Sequence, residues 1–347
     1  MRALAAGSVL YAHLVSPVPG LASAGVRLFF CISGYLIPHI LLSARDSGSG
    51  TGQVLRAFYV RRVLRIWPAY YAALGVALLF GPPLLRDTSG WHLLFATNIL
   101  MVASGSWEPG IASHLWTLAV EEQFYLLWPL VLLLVPGRAT GWIIAALPLL
   151  CALFIASLTQ DQQLQEPGPL ILLPGQLDVL GAGALLAFVE RRGWPSQLWL
   201  IPLVAVAIYL APLTIGLDWG GSMLVGRLVA EVGLAVAYPL SALLFVVIIL
   251  FARHGPAALA GALLGNRVLV WLGRRSFGIY LYHIYLLSAA TALGHGGAGW
   301  VSFAVIGGAS VLLAALSWRW LEQPMLRLKR LVPYAAQRGI GITAGAV

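Results

Sequence analysis

Charge and cysteine are scarce in this sequence. Charged residues make up 10% of its 347 residues, against about a quarter in soluble domains, which excludes an ordinary water-soluble globule. The only two cysteines, Cys31 and Cys151, lie inside apolar runs, so neither a disulfide framework nor a cysteine zinc site is supported. No Gly-rich phosphate loop and no His-Glu-x-x-His metal motif occurs. The first apolar stretch carries Tyr11 and His13 and lacks a small-residue cleavage site, so a removed leader is not expected.

What the chain has in abundance is apolar length. It is 60% hydrophobic, with a mean hydropathy of +0.88. Runs of roughly 17–25 apolar residues, enough to span hydrocarbon, recur along it. Bounded by Gly, Pro and charge, they predict helices near 3–18, 25–43, 66–85, 115–135, 141–159, 169–189, 197–213, 228–252, 268–292 and 299–320. A shorter apolar stretch at 91–103 reads as interfacial or re-entrant. Runs of this length without period-two alternation exclude a barrel, because lipid forces each spanning segment to satisfy its own backbone. The expected fold is all-α, a polytopic bundle of about ten spans forming one membrane-embedded domain over residues 1–347.

A net charge of +9 and a pI near 9.9 could suggest nucleic acid. The basic residues, however, sit in short clusters between apolar runs, which reads as topology, with the lipid bilayer as partner and no nucleic acid. Placing the amino terminus in the cytoplasm puts Arg2, Arg45, Arg56, Arg61, Arg62, Arg65, Arg138, Arg191 and Arg192 on that side. Arg253, Arg267, Arg274, Arg275 and the basic residues from Arg319 onward join them. Only Arg27, Arg86 and Arg227 fall opposite. Both termini are therefore expected in the cytoplasm.

Ionisable groups within spans are costly and direct attention to function. His13 follows Arg2 by eleven positions, three helical turns plus about 20°, which puts both on one face with His13 roughly 16 Å deeper. An arginine at a mouth and a base inside suit an anionic substrate, although a histidine simply bonded to a neighbouring helix fits the same spacing. Glu121 and Glu122 lie about two turns inside the fourth main run and point about 100° apart, so they cannot converge on one atom. A structural ion pair is the plain alternative. Arg62 and Arg65 share a face ahead of the helix expected at 66–85; their guanidinium forks suit phosphates, and topogenic contact with lipid headgroups explains them nearly as well. Ser276, Tyr280 and His283 share another face, with His283 expected in the layer of His13. Arg227 and Glu231 form an i, i+4 pair of structural character, and Asp178 has no evident partner.

Taken in order, these segments resemble the integral membrane acyltransferase family 3, O-acyltransferases of bacterial polysaccharides, lipids and macrolides. The resemblance runs through nearly the whole chain. It rests on Arg2 with His13, on Gly25 to Gly34, Arg61 to Pro68, Trp116 to Tyr125, Ser276 to His283 and the terminal Trp320-Leu-Glu-Gln-Pro324. It implies transfer of an acyl group, by default acetyl, from acyl-CoA as donor substrate to a hydroxyl of a cell-envelope glycan, glycolipid or glycosylated metabolite. It also implies a multi-pass protein of the bacterial cytoplasmic membrane and no metal.

By the same resemblance His13 is the base, Arg2 its motif partner and Glu121 the acid at the family's position. Arg61, Arg62 and Arg65 are expected to hold the CoA phosphates, while Ser33, Tyr280 and His283 are expected near the substrate. A sugar hydroxyl needs a base to accept its proton, and a nearby acid or serine would orient that base. Two departures stand out. Arg2 lies at the extreme amino terminus, which leads to the expectation that a few residues precede Met1, and Gln176 stands where the family has an arginine before Asp178. A secondary transporter or flippase would also use buried His, Glu and Arg, but no inverted repeat or paired broken helix is evident.

Overall fold

The computed structural model describes residues 1–17, 20–159, 161–162, 165–193, 241–254, 261 and 263–334. It is 84% helical, with no strand among the described residues, so backbone polar groups are satisfied within segments as lipid demands. In chain order the helices are α1 (Arg2–Leu14), α2 (Leu21–Asp46), α3 (Thr51–Phe80), α4 (Pro83–Asp87), α5 (Ser89–Leu93), α6 (Thr97–Ser104), α7 (Leu115–Leu134) and α8 (Gly137–Ser157). They continue with α9 (Leu177–Arg191), α10 (Ser241–His254), α11 (Arg267–Ala292) and α12 (Trp300–Leu331), the last interrupted by π-turns at Phe303–Gly307 and Trp318–Glu322.

Among the described residues, six segments are long and apolar enough to cross a membrane: α2, α3, α7, α8, Leu173–Arg191 around α9, and α12. The helix expected at 197–213 and the Arg227–Glu231 pair lie outside the described residues, and that expected at 228–252 is described only from Ser241. The 91–103 stretch, together with the residues just before it, forms the short helices α5 and α6.

Two boundaries differ from expectation. Helix α3 begins at Thr51, not near 66, so Arg61, Arg62 and Arg65 lie in mid-helix. Hydropathy marks only the lipid-compatible half, whereas helical hydrogen bonding propagates through Arg, Leu and Phe on either side. It stops where Gly81 is followed by Pro82 and Pro83. Helix α1 ends at Leu14 rather than near 18, ahead of Pro17, so His13 occupies its last turn and is exposed.

The centre of the bundle is α2, whose most apolar window is 78% buried, against 28% for α8 and 22% for α12, which face outward. Helix α2 packs on α1, α7 and most extensively on α9, while α11 joins α1 to α12. The α2–α9 contact is backbone on backbone. A Cβ at Gly34 would sit 2.2 Å from the carbonyl oxygen of Leu180, and one at Gly183 would sit 2.2 Å from that of Cys31. Small residues permit such approach where lipid removes the hydrophobic incentive for helices to associate.

The same interface buries Arg27 against Asp178, an ion pair 5% and 0% exposed, with Ser241 accepting from Arg27 at 3.0 Å. Asp178 thus has the partner that its sequence context did not supply. Two exceptions to the charge segregation also find their reasons. Arg27 is an interior charge that must be paired. Arg86 donates to the carbonyls of Leu78, Leu79 and Gly81, closing the end of α3 rather than marking a loop.

Candidate active site

Helices α1, α2, α3, α7 and α11 line a partly open cavity with about 590 Å³ of empty space, the solvent at its mouth included. Arg2 enters it from α1; Val26, Phe29, Phe30 and Ser33 from α2; Arg62, Arg65 and Ile66 from α3. Thr117, Leu118, Glu121 and Tyr125 come from α7, and Ser276, Phe277 and Tyr280 from α11. Three arginines therefore face one acid. None of the three forms an ion pair among the described residues. Arg62 instead lies over the rings of Tyr125 and Phe58, its guanidinium carbon 4.6 and 5.5 Å from their centroids.

The acid is held in a short chain of bonds. Tyr125 donates to Ser33 at 3.2 Å, and Ser33 donates to Glu121 Oε1 at 2.8 Å. Glu122 points elsewhere, its Oε2 accepting from Trp67 Nε1 at 3.2 Å, which is the divergence that a 100° step between neighbours requires. Arg61 stands outside the cavity. It donates to the carbonyls of Lys329 and Val332 at 3.2 and 3.3 Å and lies 4.8 Å from the Tyr334 ring centroid, so it ties the end of α12 to α3.

At the other end of α1, His13 Nδ1 lies 3.2 Å from Nε2 of His283, with ring centroids 5.2 Å apart. The shared layer expected for these two histidines is observed. His283 is fully buried and bonded through Nδ1 to the carbonyl of Tyr280. The His114 ring stands edge-on 5.6 Å from it, with Nε2 donating to the Leu281 carbonyl at 2.9 Å.

Tyr280 belongs to both regions. Its hydroxyl lies in the cavity wall, accepting from Thr117 at 2.8 Å and donating to the His114 carbonyl at 3.2 Å, while its own carbonyl holds His283.

Of the residues singled out by sequence, Arg2, Ser33, Arg62, Arg65, Glu121 and Tyr280 meet in the cavity, and His13 and His283 meet at the histidine end. One expectation is corrected. Neither Glu121 nor Ser33 bonds His13; they bond each other, and Glu121 lies seven positions, about 10 Å of helix, beyond His114. Sequence reasoning gave no role to Thr117, Phe29 or His114. A buried histidine just before an apolar helix was the available signal for the last.

A polytopic helical membrane protein with an arginine-lined cavity beside a histidine pair is the class that this fold and site define. Residues 1–319 match the acyltransferase domain of acyltransferase family 3, and the chain belongs to that family. It is 28% identical to the peptidoglycan O-acetyltransferase OatA of Listeria monocytogenes over 94% of this chain and 54% of that protein. It is 29% identical to a Bacillus subtilis protein provisionally named for the same activity, again over 94% and 54%. A Staphylococcus aureus protein provisionally named an O-acetyltransferase is 28% identical over 93% of this chain and 56% of its own length. The chain thus spans about half the length of the curated relatives it matches. No solved structure matches it.

Proposed function

We propose that the protein transfers an acetyl group from acetyl-CoA to a hydroxyl of a cell-envelope glycan, with His13 as general base. The observation that carries this reading is the placement of Arg2 and His13 on one helix, between a cavity with three arginines and an exposed imidazole. Arginine forks without an acid partner suit the phosphates of CoA, with Arg62 and Arg65 on one face of α3 and Arg2 opposite. Glu121, held by Ser33, leaves the cavity net positive while orienting its polar wall.

Phosphates bound among the arginines direct the thioester along α1 toward the Tyr280 layer. There His13 takes the proton of the acceptor hydroxyl as its oxygen attacks the thioester carbonyl; the C–O bond forms, the C–S bond breaks, and the proton passes to the departing CoA thiolate. The names of the relatives support peptidoglycan as the first acceptor to try. In this reading the arginine end faces the cytoplasm of a bacterium, in whose cytoplasmic membrane the protein lies, because that is where acyl-CoA is available and where the positive-inside pattern puts these charges.

Acceptor-dependent thiol release from acetyl-CoA tests the reading, using reconstituted protein with peptidoglycan and a crude glycan and lipid extract. Wild type should release CoA, and His13→Ala should lose about 10²–10⁴-fold in kcat with little change in donor KM. An equally folded His13→Ala protein that stays active refutes the base, and failure of the wild type with every acceptor refutes the transferase and favours transport.

A further inference from the structure

We propose that His283 is the positioning residue of the base: by accepting the Nδ1 proton of His13 it holds His13 in the tautomer whose Nε2 carries the lone pair. This rests on the reading of His13 as base, and the geometry supplies the rest. Nδ1 of His283 is bonded to the Tyr280 carbonyl three residues earlier, and a carbonyl only accepts, so that nitrogen carries the proton. The ring is fully buried, and no carboxylate is hydrogen-bonded to His13, His114 or His283 among the described residues. A second proton on His283 would be an uncompensated charge in a low-dielectric interior, so its Nε2 remains a lone pair.

The 3.2 Å contact between that Nε2 and His13 Nδ1 is then a hydrogen bond only when His13 donates. Nε2 of His13 is left without a proton, on the one exposed ring of the three; His114 is 4% exposed and His283 0%. The titratable groups around the pair are His114 and Tyr280, whose rings lie 5.6 and 5.3 Å from that of His283, and the Val9 carbonyl one turn before His13 is a further acceptor for its ring. Glu121 and Ser33 cannot serve, being engaged with each other in the cavity layer.

During transfer, the hydroxyl proton arriving at Nε2 makes His13 an imidazolium, and its Nδ1–H bond to His283 becomes charge-assisted and stronger in the transition state than before it. When the proton goes on to the thiolate of CoA, the pair returns to its starting tautomers. A neutral acceptor suits this place in the membrane, where a permanent carboxylate would be costly.

The experiment is ¹⁵N NMR of the full chain in detergent with labelled imidazoles, of which there are seven, His13 being assigned by the signal lost in His13→Gln. Wild type should show His13 protonated at Nδ1 with a lone-pair shift at Nε2. His283→Leu should move His13 to the Nε2–H form and lower kcat by about 10²-fold with donor KM unchanged. His283→Gln, whose side-chain oxygen can occupy the place of Nε2, should keep the Nδ1–H signature and recover about tenfold of that loss.

An Nε2–H tautomer in the wild type overturns the proposal, as does His283→Leu that keeps both tautomer and kcat. The two readings fail separately. Acyl transfer retained in His13→Gln removes the base and with it the role of His283, whatever tautomer is read. A wild-type Nε2–H signal with inactive His13→Gln removes His283 alone.

Discussion

Arg2 and His13 stand at opposite ends of one 13-residue helix, and their surroundings differ in kind. Around Arg2 charge is abundant and unpaired: Arg62 and Arg65 share its cavity with a single acid that is already bonded to Ser33. Around His13 no fixed charge lies among the described residues, and polarity is arranged by proton direction, from His13 through His283 to the backbone carbonyl of Tyr280, with His114 bonded separately to that of Leu281. In the proposed mechanism one end holds an anion and the other moves a proton. The contrast with the Arg27–Asp178 pair is instructive, since there an interior arginine is neutralised locally and stands apart from the lining of the arginine cavity.

If the ends divide the work in this way, substitutions should separate binding from turnover. Removing Arg62 or Arg65 deletes charge-assisted bonds worth about 1.5–3 kcal/mol each, so Arg62→Ala and Arg65→Ala should raise donor KM by roughly 10–100-fold with kcat nearly unchanged. Initial-rate kinetics at several acetyl-CoA concentrations reads this directly, and a fall in kcat alone would erase the distinction between the ends. Arg62→Lys should recover only part of the loss, because an ammonium neither forks onto phosphate nor stacks on Tyr125 as a guanidinium does.

Gly34→Val should cost about 1–3 kcal/mol by overpacking α2 against α9. It should lower thermal stability in detergent without a preference for either end; retention of wild-type stability would show that this contact is looser than the distances indicate. The smallest effect is expected for Arg61→Gln, which removes bonds to two carbonyls and should cost about 1 kcal/mol in thermal unfolding while leaving donor KM unchanged. A KM change as large as that of Arg62→Ala would put Arg61 back among the donor ligands.

These residues also show where sequence reading succeeds and where it stops. Arg61, Arg62 and Arg65 are indistinguishable as a basic cluster, and helical spacing separates Arg61 from the other two only as a different face. What that face meets, the end of α12, is some 270 positions away and carries no mark in the cluster. The divergence of Glu121 and Glu122 was legible because adjacent helical residues must point about 100° apart. That Ser33 is the partner of Glu121, and His283 rather than an acid the partner of His13, was not, because both bonds join separate helices.

Boundaries failed for a related reason. Hydropathy reports the solvent that a segment tolerates, and a helix such as α3 runs on past the point where its side chains turn polar.

By itself the sequence determined that this is a helical membrane protein, because apolar runs of that length in lipid leave the backbone no partner but its own segment. It also determined that Arg2 and His13 share a face, because helical rise and twist are constants. The tertiary structure alone decided that three arginines share a cavity with one acid, that Arg27 finds Asp178 and that His13 meets His283. Those pairings depend on which helices lie side by side, set here by glycines at a backbone contact and by side-chain bonds between segments far apart in the chain.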